Sequence, residues 1–444
     1  MSEVKTRFAP SPTGFLHVGN VRTAIHNALF AMREGGQFLL RLDDTDMVRS
    51  TQEYAEAIRE DLAWLGLYYS EEVRQSDKIT RYQEVADTLR AQGRLYACYE
   101  TSQELDFKRK MQLARKQPPI YDRAALALSD KEKADYEAEG RSPHWRFKLN
   151  ESQRVEFEDL VRGEAGFDMS ALSDPVVIRE DGSFLYMLPS VIDDIDMGIT
   201  HVVRGEDHVT NSAVQVQMFE ALGAKAPAFA HTALITAADG SGLSKRHGAK
   251  SIRDYRADGY EAMAINALLA RLGTADPVEP IVELQVLADS LDFGRFGRAA
   301  AKFSEDELST LNAKILHALP FDAVKDRVPR TLNAEAWHAL QPNLDKLSDL
   351  AALAKLITGP IMPVIEDTPV VPAARACLPG GEWGRETWSE WVSAIKSETG
   401  AKGKNLFMPL RLALTGERHG PELAELLPLI GREKVEKRLA GEPA

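Results

Sequence analysis

The spacing of apolar residues predicts alternating strands and helices at the start of the chain. A short strand is expected at residues 4–6, followed by a helix at 21–32 with Ile25, Leu29 and Met32 on one stripe. Residues 37–42 have the apolar character of a buried strand, and residues 51–65 have helix periodicity. The pattern predicts a β-α-β-α half-unit that continues to about residue 80.

The pattern changes between residues 79 and 176. Helical segments at 81–92, 102–116 and 129–139 surround proline turns, and strands are expected at 145–149 and 155–160. We interpret this segment as an inserted α+β domain that splits the first fold. That fold resumes with an apolar run at 176–178, buried structure at 185–192, a strand at 200–204 and a helix at 211–222.

The rest of the chain is predicted to be helical. Residues 260–272 form the clearest helix before residue 304. After it, helix periodicity occurs at 305–318, 334–341, 347–357 and 387–398, with proline-marked linkers at 360–372. The C-terminal third is therefore expected to be an all-α bundle.

Composition narrows the protein class. The length of 444 residues suits two to four domains. No run of about 18 apolar residues and no apolar signal region occurs, so a cytoplasmic protein without a membrane partner is expected. A net charge of −13 argues against indiscriminate nucleic-acid binding, although local basic stretches at 108–116, 245–256 and 396–418 leave room for a specific RNA.

The first candidate site is the strand-to-helix turn at residues 7–24. Free backbone N–H groups at the start of a helix bind phosphate, and Gly14 and Gly19 would allow close approach. His17 and Asn20, three residues apart, share one face and can both donate hydrogen bonds. The spacing fits neither a Walker loop nor a Rossmann dinucleotide motif. On pattern alone, an ordinary proline-rich loop remains an alternative.

The second candidate site is the glycine-rich stretch at residues 240–249, in which Lys245 follows Ser244. Cations on such a loop could neutralise a triphosphate during reaction. A flexible, charged surface loop is the alternative interpretation.

Together, His17-Val18-Gly19-Asn20 and Leu243-Ser244-Lys245-Arg246 resemble the two nucleotide-binding motifs of class I aminoacyl-tRNA synthetases. Residues 7–14, 41–46 and 203–211 look like the glutamyl-tRNA synthetases of bacteria, and the likeness extends along essentially the whole chain. It implies a Rossmann-like α/β nucleotide-binding catalytic core at 1–78 and 177–237, and an inserted domain at 79–176 that binds the tRNA acceptor end. A helical stem-contact domain at 238–304 and an all-α anticodon-binding domain at 305–444 would follow.

The resemblance implies a reaction and its participants. L-glutamate would be activated with ATP and Mg²⁺ to an adenylate, and then transferred to the 3′-terminal adenosine of tRNA(Glu), at the 2′-hydroxyl. The catalytic residues would be His17, Asn20 and Lys245, and the enzyme would be a monomer. The implied ATP contacts are Pro10, Thr13, Gly14, His17, Gly19, Asn20, Leu243, Ser244, Lys245 and Arg246.

Glutamate selection needs a cation for the side-chain carboxylate, and arginine suits this role because its fork makes two parallel bonds. By resemblance, Arg7 and Arg204 are the candidates, with a structural ion pair to a nearby aspartate as the alternative. Asp43 stands where many relatives have glutamate, and would contact the α-ammonium group. The full implied glutamate set is Arg7, Ala9, Ser11, Asp43, Tyr186 and Arg204.

Two further expectations concern tRNA and zinc. The candidate tRNA contacts are Lys108, Arg109, Lys110, Lys402, Lys404 and Arg411. Many relatives hold zinc in the inserted domain through a Cys-x-Cys cluster, but here Cys98-Tyr99-Glu100 stands at that position and Cys377 is the chain's second cysteine. We therefore expect no structural zinc. Lys245 is expected to carry more of the phosphate role, because Gly242 stands where many relatives have lysine.

The sequence leaves several functions open beside the favoured one. It does not decide whether tRNA(Gln) is also charged. A shortened paralogue that glutamylates queuosine would lack the helical C-terminal third. A nucleotidyltransferase that acts without RNA would need neither the insertion nor the helical bundle. A catalytically silent tRNA-binding protein would not need His17, Asn20 and Lys245, all of which are present.

A cluster of carboxylates, Asp193, Asp194 and Asp196, follows the apolar run at 185–192. Such clusters occur in glycosidases and in metal sites. Because matching histidines and a calcium-loop spacing are both missing here, we interpret the cluster as a polar strand end.

Overall fold

The computed structural model describes residues 3–237, 239–241 and 250–444. The chain divides into two compact units, one of residues 1–254 and 265–304, the other of residues 255–264 and 305–444. In the described part of the chain, every helix falls short of the length and apolar character needed to cross a membrane.

The first unit alternates strands and helices. Up to residue 98 its elements are β1 (Lys5–Phe8), α1 (Val18–Arg33), β2 (Gln37–Leu42), α2 (Gln52–Trp64), β3 (Glu72–Arg74), α3 (Ile79–Ala91) and β4 (Leu95–Cys98). The next are α4 (Ser102–Ala114), α5 (Asp130–Ala138), β5 (His144–Phe147), β6 (Arg154–Asp159), β7 (Gly163–Asp168) and β8 (Val176–Ile178). The chain continues with α6 (Met187–Asp196), β9 (His201–Gly205), α7 (Val209–Ala221), β10 (Ala228–Thr232), β11 (Ile235–Thr236), α8 (Ile252–Ala257), α9 (Ala262–Arg271), α10 (Leu284–Asp289) and β12 (Ala301–Lys302).

Two groups of strands meet beside β1. Parallel pairing gives the order β1-β2-β3, and a second sheet has the order β7-β6-β10-β9, in which β6, β10 and β9 are parallel. The Thr200 backbone N–H donates to the Lys5 carbonyl at 3.0 Å, which places β9 next to β1. Strands β2 and β3 therefore lie on one side of β1, and β9 and β10 lie on the other, so the strand order reverses between β1 and β9. In open α/β sheets, ligands bind at such a switch point.

Strands β4, β7, β10, β11 and β12 were not predicted. Strand β4 lies in the separate sheet β4-β5-β8, and β7 pairs with β6 along six residues. Because β7 has the sequence Gly-Glu-Ala-Gly-Phe-Asp, its apolar signal is weak. Hydrogen bonding crosses the proposed border of the inserted domain, since β6 pairs with β10 and β8 pairs with β5. The domain boundaries stay predictions.

The prediction of a polar strand end at Asp193, Asp194 and Asp196 was wrong. All three lie on helix α6. Leu188, Val191 and Ile192 recur at helical spacing and are buried, and this packing carries Asp193 and Asp194 into the interior as well. The apolar run was therefore the inner face of a helix.

The second unit is helical, as expected. Its core contains Trp337 and Trp391, and the Trp391 indole N–H donates to the Ala374 carbonyl at 2.9 Å. Its helices after residue 304 are α11 (Glu305–Ala318), α12 (Phe321–Val324), α13 (Ala334–Leu340), α14 (Leu350–Thr358), α15 (Val370–Ala376), α16 (Thr387–Thr399), α17 (Lys404–Thr415), α18 (Leu423–Ile430) and α19 (Arg432–Leu439).

Candidate active site

A cavity of about 580 Å³ opens at the carboxyl ends of β1, β2, β9 and β10. The predicted residues that line it are Arg7, Ala9, Pro10, Ser11, Thr13, His17, Gly19, Asn20, Asp43, Tyr186 and Arg204. Gly14 is not among the lining residues. Leu243, Ser244, Lys245 and Arg246, together with Gly242, lie outside the described residues. The roles assigned to all of these residues stay predictions.

His17 and Asn20 form a reciprocal cap at the start of α1. The Gly19 N–H donates to His17 Nδ1, and the His17 N–H donates to Asn20 Oδ1, both at 3.1 Å. This box explains why α1 begins at Val18 rather than at residue 21. Because Nδ1 accepts a bond, the neutral ring carries its proton on Nε2. The Asn20 amide nitrogen carries two N–H donors, because the oxygen of this amide is the atom that accepts from His17.

Gly19 has a packing role that the sequence interpretation missed. A side-chain carbon added there would lie 3.0 Å from His17 Cε1 and 3.1 Å from Nδ1. The glycine therefore leaves room for the histidine ring against the helix.

The described residues on either side of the second motif lie near the first. Ser251 forms an isolated antiparallel bridge with His17, and the Ile252 N–H donates to the Leu16 carbonyl at 2.9 Å. On the other side, Leu234 and Ile235 line the cavity. The described chain after the segment that carries Lys245 thus contacts the His17 turn, and the described chain before that segment reaches the same cavity.

Arg7 and Arg41 are held in a buried network of opposite charges. Arg7 Nε lies 3.0 Å from Asp194 Oδ1, and Arg41 Nη1 lies 2.8 Å from the same oxygen. Arg41 also makes two bonds to Asp43, at 2.7 and 3.2 Å. Burial works to raise the pKa of Asp194, but Arg7 and Arg41 outweigh it and lower that pKa. The ion pair considered as an alternative for Arg7 is therefore present.

Arg204 differs because its partners are neutral. Its Nη2 donates to Ser212 Oγ at 2.6 Å and to Gln215 Oε1 at 2.7 Å, and its Nε lies 3.3 Å from His231 Nε2. Within the described chain, no carboxylate forms an ion pair with it. Burial, reinforced by nearby Arg7, lowers the pKa of Arg204 to about 10, so the group stays charged at neutral pH. Its charge is left for an anionic ligand.

Sequence reasoning missed Arg41, Ser190 and Asp194 as parts of this site. Ser190 lines the cavity, and its hydroxyl accepts from Arg41 Nη2 at 3.2 Å. One signal could have found the first of them: side chains alternate along a strand, so the spacing of Arg41 and Asp43 puts both on one face at the end of β2. Asp194 gives no comparable local signal, because it meets Arg7 and Arg41 only in the folded chain.

The candidate tRNA contacts fall into two groups. Arg109, Lys110, Lys402 and Lys404 are exposed. Lys108 is half-buried and pairs with Asp122 at 3.1 Å. Arg411 is also half-buried, its Nη2 donates to the Pro421 carbonyl at 3.0 Å, and burial lowers its pKa. The Arg411 guanidinium therefore has a structural partner, which weakens its candidacy.

The sequence predicts no zinc site at Cys98-Tyr99-Glu100. In the structure, donor atoms of Cys98, Glu100 and His144 lie within 4.8 Å of one another. His144 was not considered from sequence. Structural zinc sites use four ligands, with thiolates prominent, but here burial raises the pKa of the single thiol, Cys98, to about 12. The Tyr121 hydroxyl donates to Glu100 at 2.8 Å, and Lys108 lies 3.5 Å from the same carboxylate. This donor set does not fit a structural zinc ion.

Comparison with known proteins agrees with this geometry. Residues 3–310 match the family model described as tRNA synthetases class I (E and Q), catalytic domain, and residues 313–441 match an anticodon binding domain. The chain is 56% identical to "Glutamate--tRNA ligase 1" of Maricaulis maris, covering 99% of this chain and 100% of that protein. It is 54% identical to "Glutamate--tRNA ligase 2" of Methylorubrum populi, covering 99% and 98%.

A crystal structure of a glutamate tRNA ligase from Elizabethkingia meningosepticum, in complex with its amino acid, superposes with a TM-score of 0.85. It is 27% identical in sequence, and the match covers 99% of both chains. The expected fold class is confirmed. From the matched catalytic model and these full-length relatives, the chain belongs to the glutamate–tRNA ligases, within the class I aminoacyl-tRNA synthetases.

Proposed function

We propose that this protein activates L-glutamate with ATP and Mg²⁺ and transfers the glutamyl group to the 3′-terminal adenosine of tRNA(Glu), at the 2′-hydroxyl. The observation that carries the proposal is the un-neutralised charge of Arg204 in the cavity that also holds the His17 and Asn20 cap. The same cavity thus offers a cation for a carboxylate and N–H donors for phosphate.

The phosphate end is supplied by α1. Its first N–H groups, the His17 Nε2–H and the Asn20 amide would donate to the triphosphate oxygens. The α-carboxylate of glutamate then attacks the α-phosphorus of ATP, the bond to the bridging oxygen breaks, and pyrophosphate leaves. Bound Mg²⁺ would neutralise phosphate charge. Positioning and charge stabilisation supply the catalysis, so no covalent nucleophile is required.

The glutamate end is supplied by the arginines. Arg204 would bind the side-chain carboxylate, and Arg7 would add positive potential while remaining paired to Asp194. Tyr186 lines the same cavity, and its ring packs edge-on against His208. Asp43 is the candidate acceptor for the α-ammonium group, although its carboxylate also forms an ion pair with Arg41.

We expect glutamate to drive exchange of labelled pyrophosphate into ATP when tRNA(Glu) is present. Parallel assays should use tRNA(Glu), tRNA(Gln) and no tRNA, with aspartate and glutamine as control amino acids. Exchange without any tRNA requirement would favour a nucleotidyltransferase that acts without RNA. Absence of exchange under all three conditions would contradict the proposed function. Aminoacylation is measured separately, with labelled glutamate. Charging of tRNA(Gln) beside tRNA(Glu) in that assay would identify a misacylating enzyme.

We also propose that the protein needs no structural zinc. Metal analysis after dialysis against zinc should find no stoichiometric metal, and Cys98→Ser should leave that result unchanged. The reason is the protonated Cys98 thiol and the engagement of Glu100 by Tyr121 and Lys108. One tightly held zinc ion per chain, lost in the Cys98→Ser variant, would overturn this prediction.

A further inference from the structure

Behind Arg204 lies a buried chain of hydrogen bonds that runs across three strands and one helix. Asp159 at the end of β6 contacts His231 on β10, whose Nε2 lies 2.7 Å from Ser212 Oγ on α7. Ser212 Oγ in turn accepts from Arg204 Nη2 at 2.6 Å. Asp159, His231 and Ser212 are each at most 1% exposed. None of these three lines the cavity.

The direction of each bond follows from the protonation states. Burial would raise the pKa of Asp159, but bonds from His231 and from the backbone N–H groups of Arg162 and Val161 lower it below its ordinary value. Burial also lowers the pKa of His231, which is therefore neutral. An ionised Asp159 fixes the ring proton on Nδ1, so Nε2 accepts. The Ser212 hydroxyl can then donate to Nε2 at 2.7 Å, the shorter of its two acceptor contacts, since the His208 carbonyl lies at 3.2 Å. Its lone pair is offered to Arg204.

This arrangement orients the Arg204 guanidinium at the cavity wall without neutralising its charge. A carboxylate placed against Arg204 would orient the guanidinium but would also neutralise it, as Asp194 does for Arg7. Neutral acceptors orient the group and leave its charge available. Arg204 Nη1 makes no hydrogen bond to the residues that the structure describes. It is the part of the fork that a ligand carboxylate can take.

We infer that Asp159 and His231 are positioning residues, which hold Arg204 in the orientation that binds the side-chain carboxylate of the amino-acid substrate. The inference rests on the proposed function for the identity of that substrate. Asp159 acts through the tautomer of His231, and His231 acts through Ser212 and directly on Arg204 Nε. Neither residue touches the substrate.

Asp159→Asn tests the tautomer step. The backbone N–H groups of Val161 and Arg162 both donate to Asp159 Oδ1 at 2.9 Å, so the amide oxygen will stay at that position. The His231 backbone N–H, which lies 3.3 Å from Oδ1 and 3.2 Å from Oδ2, keeps the amide oxygen as its acceptor. The amide NH₂ will then face His231 Nδ1, which must accept, and Nε2 will carry the proton toward Ser212 and Arg204. We expect KM for glutamate to rise roughly 10- to 100-fold, the scale of a lost bond to a charged group, with KM for ATP little changed.

His231→Asn provides a second test that retains the Asp159 contact. Its side-chain NH₂ can replace Nδ1–H, but it offers no acceptor at the position of Nε2. It should raise KM for glutamate as Asp159→Asn does. The matched control is Asp174→Asn, because Asp174 is also 1% exposed and accepts bonds from Tyr96, Arg123 and Leu149, away from the cavity. This control should leave the ratio of the two KM values unchanged.

Glutamate binding measured by calorimetry, with melting temperature recorded for every variant, separates the outcomes. Weaker glutamate binding in both test variants, at unchanged ATP binding and without the effect in Asp174→Asn, supports the inference. Equal changes for glutamate and ATP, or a fall in melting temperature alone, would overturn it. Wild-type protein that binds glutamate without pyrophosphate exchange refutes only the proposed function. Wild-type protein that fails to bind glutamate refutes both.

Discussion

Replacing Arg204 by alanine is expected to raise KM for glutamate on the order of 10²-fold, the upper range for a bond to a charged group, while KM for ATP changes little. The reason is that the charges of Arg7 and Arg41 are already engaged by Asp194 and Asp43, whereas Arg204 contacts neutral groups. Removing it leaves the cavity without the cation that a side-chain carboxylate requires. Steady-state pyrophosphate exchange at varied glutamate and ATP measures both constants.

Two variants make this result specific. Arg204→Lys keeps the charge but not the two-pronged geometry, so it should recover only part of the glutamate affinity. Arg154→Ala removes an exposed arginine that pairs with Glu156 at 3.0 Å without lining the cavity, and should preserve both constants. Equal increases in the glutamate and ATP constants of Arg204→Ala would exclude a carboxylate role for this residue.

Replacing Lys245 by alanine is expected to lower kcat by roughly 10² or more, as loss of a donor to developing transition-state charge does, with glutamate affinity little changed. Lys245 lies outside the described residues. Its position in the mechanism is supported by the anchoring of Ser251 to His17 and by the cavity contacts of Leu234 and Ile235. Single-turnover formation of the adenylate measures the chemical step directly.

Lys225→Ala is the matched control for that experiment, because Lys225 is an exposed lysine that does not line the cavity. It should retain wild-type turnover. Unchanged turnover in Lys245→Ala would remove this lysine from the mechanism. A change confined to the glutamate constant would instead place it in substrate selection.

Much of the architecture could be predicted from sequence because it depends on local periodicity. The strand at residues 37–42 and the helix at 305–318 were predicted at their observed limits, Gln37–Leu42 and Glu305–Ala318. The start of α1 was predicted three residues late, because apolar spacing does not register a cap formed by His17 and Asn20. Strand β7 was missed because its two glycines and acidic residues carry little apolar signal.

The sequence by itself determined the element pattern, the two motif turns and the set of arginines and aspartates from which the site is built. Only the tertiary structure decided which of those charges cancel. Asp194 could be assigned to Arg7 only after helix α6 was placed beside β1, and Asp159 to His231 only after β6 was placed beside β10. Electrostatic energy depends on distance and burial rather than on sequence separation, and folding therefore made Arg204 the cation left for a ligand.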